Sequence, residues 1–360
     1  MSAPILSAYA PGRVELLGNH TDYNAGVVLG AAIDRGLTVR GARREDEWIS
    51  IESATKGAVQ INARELRPQA EDGWANYVLG VVSELRTLGL SIPAFQAEIA
   101  GDLPAGAGLS SSAALEVATA LFLLKLSGQT LPPLEVAKAC QRAEHHFVGV
   151  QSGLLDQVTS LFGKRDQAVF LDCRSEEVRT VPFPPDLALI VAETGKRREL
   201  ASGVYNQRRE ETHAAARALG VAALRDVSLR ELESRTDLPG LLQRRARHIV
   251  GENERVFRAL DFLANGNGQG FGQLLNESHE SSRTNFENST PELDRLIGIA
   301  QSLSGVLGAR LTGAGFGGAA IVLCERVRAG EIARQVATQY RDQTGLSSTT
   351  MITRPADGAR

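Results

Sequence analysis

The stretch Leu103-Pro-Ala-Gly-Ala-Gly-Leu-Ser-Ser-Ser-Ala-Ala114 sets the strongest limit on what this chain can fold into. Gly106 and Gly108 free the backbone to take left-handed angles and to lie close to a ligand. Ser110, Ser111 and Ser112 then open an apolar helix that runs on from Ala113. A helix N-terminus carries free N–H groups and the positive end of the dipole, and so suits phosphate. A serine hydroxyl there adds a hydrogen bond or a ligand for Mg2+. A turn with a serine cap would explain a Gly/Ser loop by itself. Three successive serines exceed what a cap needs, and a second glycine-rich segment, Thr312-Gly-Ala-Gly-Phe-Gly-Gly318, lies between two strand-like runs.

Near the N-terminus, Arg13, Glu15, Asn19, His20, Thr21 and Asp22 fall within a dozen residues. Strand alternation puts Arg13 and Glu15 on one face and Val14 and Leu16 on the other. The turn from Asn19 to Asn24 offers carboxylate, imidazole and hydroxyl groups together, the donors and acceptors that sugar hydroxyls require. A third polar group is Glu144 with Asp156, separated by a Ser-Gly break. Phosphoryl transfer needs a metal ligand and a group that orients or deprotonates the acceptor hydroxyl. On spacing alone the pair reads more readily as an exposed helix charge and a cap.

The 360 residues are too many for one ordinary core and imply two domains. Composition is globular, and the net charge of −3 comes without a basic stripe, which argues against nucleic acid and anionic membranes as partners. None of Lys56, Lys125, Lys138, Lys164 and Lys196 ends a Walker-type loop. Cys140, Cys173 and Cys324 are odd in number and far apart, as for free thiols in a reducing cytosol. The start of the chain has no signal-peptide pattern, and the apolar run around Leu115–Leu126 is too short to span a bilayer.

Periodicity predicts a short strand over Ile5–Tyr9 before a Pro-Gly turn, and two strands joined by a turn within Gly26–Arg40. A helix starts at Trp74, with Trp74, Tyr77, Val78 and Val81 on one face. Strand and helix patterns then alternate without a βαβ rhythm, which favours an α+β fold. The second half opens with Arg-rich helices, and Thr290 caps a helix that begins at Pro291.

Together these segments resemble the GHMP kinases, and within them the galactokinases. The three family motifs appear as APGRVELLGNHTDYNAG, LPAGAGLSSSAALE and LTGAGFGG, and further galactokinase-like stretches are GWANYVLGV, GLLDQ, VYNQRREE, RHIVGENERV and NESHESSRTNFENSTPELD. The match runs from about residue 8 to about residue 325. It implies a two-domain fold: an N-terminal α+β domain with the phosphate loop (1–175), a C-terminal ferredoxin-like α+β domain (176–360), and an active site in the cleft between them. It also implies ATP-dependent phosphorylation of galactose on its C1 hydroxyl by a cytoplasmic enzyme, a monomer or weak homo-oligomer. By resemblance, Asp156 and Arg13 are catalytic. Asn19, His20, Thr21, Asp22, Gly153 and Tyr205 bind sugar. Gly106, Ala107, Gly108, Leu109, Ser110, Ser111 and Ser112 hold ATP, with Trp74 and Tyr77 near adenine. Ser112 and Glu144 ligate Mg2+.

Two positions depart from the family pattern. The usual GEHTD reads GNHTD, so Asn19 replaces a sugar-binding glutamate, and the usual Arg-Val-Asn reads Arg-Val-Glu, which sets Glu15 beside Arg13. An amide at position 19 accepts more weakly than a carboxylate and tolerates a carboxylate at C6. The change therefore opens the sugar to question, with galacturonate or N-acetylgalactosamine as alternatives, and Asn19→Glu is expected to tighten galactose. A non-catalytic galactose and ATP sensor is the alternative from another class, but Arg13, Asp156 and all three serines are present.

Overall fold

β1 (Leu6–Leu17) does not stop at Pro11-Gly12 but passes through it. Its pairing with β2 (Val27–Arg43) slips in register between Pro11 and Arg13, so the missing proline N–H falls at an irregularity. The expected turn is thus a bulge. Gly12 is needed there, because a Cβ would lie 2.6 Å from Leu103 Cδ1 and 2.7 Å from Leu109 O. In the computed structural model, which describes residues 4–70, 73–104, 108–196 and 201–360, β2 is also one long strand where the sequence suggested two. Its glycines admit close neighbours rather than a turn: a Cβ at Gly36 would lie 2.4 Å from Ala10 O.

The first sheet adds β3 (Trp48–Ser53), β4 (Gly57–Asn62), β5 (Phe95–Gly101), β6 (Gln167–Asp172) and β7 (Glu177–Pro182), in the order β4-β3-β5-β2-β6-β7 with β1 paired to β2. Helices α1 (Ala75–Thr87), α2 (Ser111–Ser127), α3 (Pro133–Ala143) and α4 (Leu155–Phe162) pack with it. Their core includes Val78, Leu79, Phe95, Phe122 and Cys140. The domain division expected at 175/176 falls between β6 and β7, which pair with each other, so this sheet continues to Pro182.

The second sheet has the order β11-β8-β10-β9, formed by β8 (Leu187–Glu193), β9 (Val306–Thr312), β10 (Ala319–Glu325) and β11 (Thr350–Thr353). Its helices are α5 (Ala201–Leu219), α6 (Leu229–Ser234), α7 (Gly240–Ala264), α8 (Gly268–Ser281), α9 (Pro291–Ser302) and α10 (Ala329–Thr344). Thr290 caps α9, its hydroxyl accepting from Leu293 N at 3.3 Å.

One apolar cluster crosses between the halves. Val14, Leu16, Leu29 and Ile33 share it with Leu189, Ile321, Val256 and Phe271. The chain end ties them further: after β11 it returns to the first sheet, where Arg360 N donates to Tyr9 O at 2.9 Å and Tyr9 N to Arg360 O at 2.9 Å. Cys140, Cys173 and Cys324 are unbonded. Among the described residues no helix is long and apolar enough to cross a membrane.

Candidate active site

Between the two halves lies a cavity of about 410 Å3. Its main walls come from three chain regions that the sequence separates widely, the end of β1 with its turn, the start of α2 and the start of α4, and Tyr77, Glu144 and Tyr205 add to them from α1, the end of α3 and α5. Glycine-rich backbone at Gly313 and Ala314 closes one side, a contribution the sequence hinted at through the second glycine segment without assigning it to a site.

At its centre is Asp156, in the first turn of α4, where the helix dipole favours a carboxylate. Arg13 Nε donates to Asp156 Oδ1 at 2.6 Å, and Ser110 Oγ donates to Oδ2 at 2.5 Å. Arg13 Nη1 also donates to Gly108 O at 2.7 Å, and Arg13 N to Leu109 O at 3.1 Å. The arginine therefore fixes both the acid and the glycine loop. Ser110 takes a left-handed φ of 57°, which turns its hydroxyl to Asp156 just before α2 begins. Gly108 through Ser112 line the cavity at the N-terminus of α2. Gly106 and Ala107 lie outside the described residues.

Glu144 opens a π-helical turn, Glu144–Val148, that ends α3. The turn brings its carboxylate to the cavity beside Ser112. Ser152 Oγ donates to Glu144 Oε2, and Gln157 Nε2 lies 3.3 Å from the same oxygen. Burial pushes this carboxyl up to about 7 and Asp156 adds to the rise, against the hydrogen bonds from Ser152, Gln157 and Ser112. Tyr77 lines the cavity nearby, whereas Trp74 packs into the first core with its indole N–H buried and unpartnered among the described residues.

The turn after β1 supplies His20, Asp22 and, from α5, Tyr205 stands against them. His20 Nε2 lies 3.0 Å from Ala314 O and Nδ1 lies 2.6 Å from Tyr23 Oη. A carbonyl only accepts, so Nε2 carries the proton and Nδ1 accepts from the tyrosine. Burial holds the imidazole neutral, lowering its pKa to about 4. Burial raises Asp22 to about 7, with Glu15 and Asp156 adding repulsion. Thr21, expected against sugar, is fully buried and turned to the loop itself, with Oγ1 2.7 Å from the carbonyl oxygens of Gly18 and Val27.

Asn19 borders the cavity but has no exposed surface. Its Nδ2 donates to Glu15 Oε1 at 2.8 Å and to Gly313 O at 2.9 Å, and its Oδ1 accepts from Asn288 at 2.9 Å. The loop is held from behind by α7. Glu252 Oε2 accepts from Gly18 N at 2.9 Å and Asn19 N at 2.8 Å, and His248 Nε2 lies 3.2 Å from Asn19 O. Burial would raise the Glu252 carboxyl, but Arg255 and Arg310 outweigh it and hold it well below the usual range. The role of α7 was not visible in the sequence, although RHIVGENERV stood out as a segment.

A phosphate-type helix N-terminus, an Arg-paired acid and a polar cleft between two α+β halves define a class, and family models give it a name. The model for the GHMP kinase N-terminal domain matches residues 76–164, and that for the GHMP kinase C-terminal region matches 259–342. A mevalonate kinase of Methanococcus jannaschii shares the fold at a TM-score of 0.70 and 19% identity, covering 99% of both chains. The galactokinase galactose-binding signature matches residues 2–43. The galactokinase of Roseiflexus sp. is 43% identical, over 99% of this chain and 92% of that one. The structure of Lactococcus lactis galactokinase complexed with galactose superposes at a TM-score of 0.95 with 35% identity, over 99% of this chain and 95% of that one. The chain belongs to the galactokinase family of GHMP kinases.

Proposed function

We propose that this protein transfers the γ-phosphoryl group of ATP to the C1 hydroxyl of galactose, giving galactose 1-phosphate and ADP. The observation that carries the reading is Asp156, fixed by Arg13 and Ser110 at the lip of the phosphate loop and facing the cavity with its side chain 30% exposed. Asp156 accepts the proton of the C1 hydroxyl as that oxygen attacks the γ-phosphorus. The bond from phosphorus to the β-bridging oxygen breaks, and its electrons leave with ADP. Arg13 balances negative charge on the transferring group. Gly108–Ser112 hold the nucleotide phosphates at the N-terminus of α2.

Ser112 and Glu144 fit as two oxygen donors for Mg2+. Among the described residues no cluster of three or more His, Cys, Asp or Glu could hold a metal unaided. When bound, Mg2+ offsets charge on the nucleotide phosphates. Tyr77 lines the same cavity, and we assign it to the nucleotide.

His20, Asp22, Tyr205 and the backbone at Gly153 form the sugar side. Among the described residues that line the cavity, the carboxyls of Glu15, Asp22, Glu144 and Asp156 outnumber the one cation, Arg13, so a sugar bearing a carboxylate is disfavoured. This favours galactose over galacturonate. A coupled ADP-release assay across galactose, galacturonate, N-acetylgalactosamine, arabinose and glucose tests the reading. Galactose should give the highest kcat/KM, and a preference for any other sugar in the panel would displace it.

A further inference from the structure

We propose that Glu15, through its Oε2, reads a hydroxyl of the bound sugar and that Asn19 serves as its brace. The inference rests on the sugar-kinase reading above.

The two residues differ in what they have left to offer. Asn19 is wholly buried. Both of its amide hydrogens and its carbonyl oxygen are engaged by Glu15, Gly313 and Asn288. A sugar hydroxyl finds no free donor there. Glu15 is tied on one oxygen only: Oε1 accepts from Asn19 Nδ2 at 2.8 Å and from Arg310 Nη2 at 3.0 Å. Oε2 has no hydrogen-bond partner among the described residues, and the side chain, 7% exposed, lines the cavity.

That oxygen is open to the cavity and free to accept a donor from the ligand. Strand alternation sends Glu15 to the same face as Arg13, toward the substrates. Its position is also fixed. Arg310 is fully buried and holds Leu16 O at 2.8 Å, while Glu15 N donates to Thr312 Oγ1 at 2.9 Å. Burial raises the Glu15 carboxyl, while Arg310, Arg13 and Asn19 oppose the rise. A fixed acceptor paired to Arg310 in this way selects a hydroxyl donor and disfavours an anionic substituent at the same point.

The test compares wild type with Glu15→Gln on galactose and on its 2-, 3-, 4- and 6-monodeoxy analogues. In wild type, one analogue should lose about tenfold in kcat/KM from the missing charge-assisted hydrogen bond, and in Glu15→Gln that loss should shrink to about twofold. KM for ATP should not change. If Glu15→Gln does not fold, Glu15→Asp keeps the charge and the Arg310 partner while withdrawing the oxygen, and the same analogue should lose its penalty. If every analogue loses the same factor in wild type and variant, Glu15 touches no sugar hydroxyl and the inference is wrong, while the kinase reading stands. If wild type phosphorylates no sugar, the kinase reading fails and takes this inference with it.

Discussion

Gly153 and Asp22 approach so closely that a side chain at 153 has no room: a Cβ would fall 1.6 Å from Asp22 Oδ2 and 2.0 Å from Cγ. The glycine is therefore what allows the acid of the β1 turn to lie against the loop before α4. Gly153→Ala should push Asp22 from its place. Overpacking of this kind costs about 1–3 kcal/mol, so KM for galactose should rise about tenfold or more while KM for ATP stays nearly constant. Steady-state kinetics with each substrate varied in turn would show it, and equal rises in both constants would point to a general loss of structure.

Asp22 also makes stability depend on pH. Its folded pKa is raised to about 7 from the usual 3.8, chiefly by burial. Between those values the folded state binds more protons than the unfolded one, so this contribution is full below about 4 and is lost as pH rises through 7. In the ligand-free protein, Asp22→Asn should flatten the fall in Tm between pH 5 and pH 8. Parallel Tm curves for wild type and variant would remove Asp22 as the cause.

Glu144→Gln keeps the shape of the side chain and removes its charge from the position beside Ser112. The Mg2+ concentration needed for half-maximal rate should increase several-fold, with little change in KM for galactose. A Mg2+ titration at saturating sugar measures this. An unchanged titration with a large rise in the sugar KM would move Glu144 to the sugar side.

Much of this site was legible in the sequence because phosphate and sugar chemistry restrict residue types at short range. Gly108, Ser110–Ser112, Arg13 and Asp156 occur in motifs whose spacing survives folding, and all of them line one cavity. The misreadings have physical causes. Pro11-Gly12 has turn composition, but the glycine serves the close approach of Leu109 O. Gly36 has turn composition too, yet β2 runs straight past it. β4 and β11 are short, and their mixed polar residues carry little pattern; β3 alternates, with Ile49 and Ile51 buried, but over only six residues. What no local pattern could show is the second layer. Glu252 and Asn19 meet across 233 residues, and Arg310 and Glu15 across 295.

That second layer reverses an expectation about Asn19. From sequence, Asn19→Glu should tighten galactose. In the structure a glutamate at 19 would set a second carboxylate against Glu15 and Gly313 O in a fully buried position, with the Asn288 amide as the one donor that Asn19 now uses. Leaving a buried charge uncompensated costs about 3–5 kcal/mol, so Asn19→Glu should lower stability by that order. Urea unfolding of the variant against wild type checks this, and tighter galactose binding at undiminished stability would show that the loop rearranges.

In the proposed reaction Asp156, held by Arg13, carries transfer to the anomeric oxygen. The most direct test is 31P NMR of the protein with ATP, Mg2+ and galactose, correlating the product phosphorus with the sugar protons. Wild type should yield ADP and a phosphate monoester coupled to the anomeric proton. Asp156→Asn, which retains the side chain's size, should bind ATP normally and form that product at least about 100-fold more slowly. A monoester on any other carbon, or a folded Asp156→Asn protein that turns over at the wild-type rate, would contradict the account.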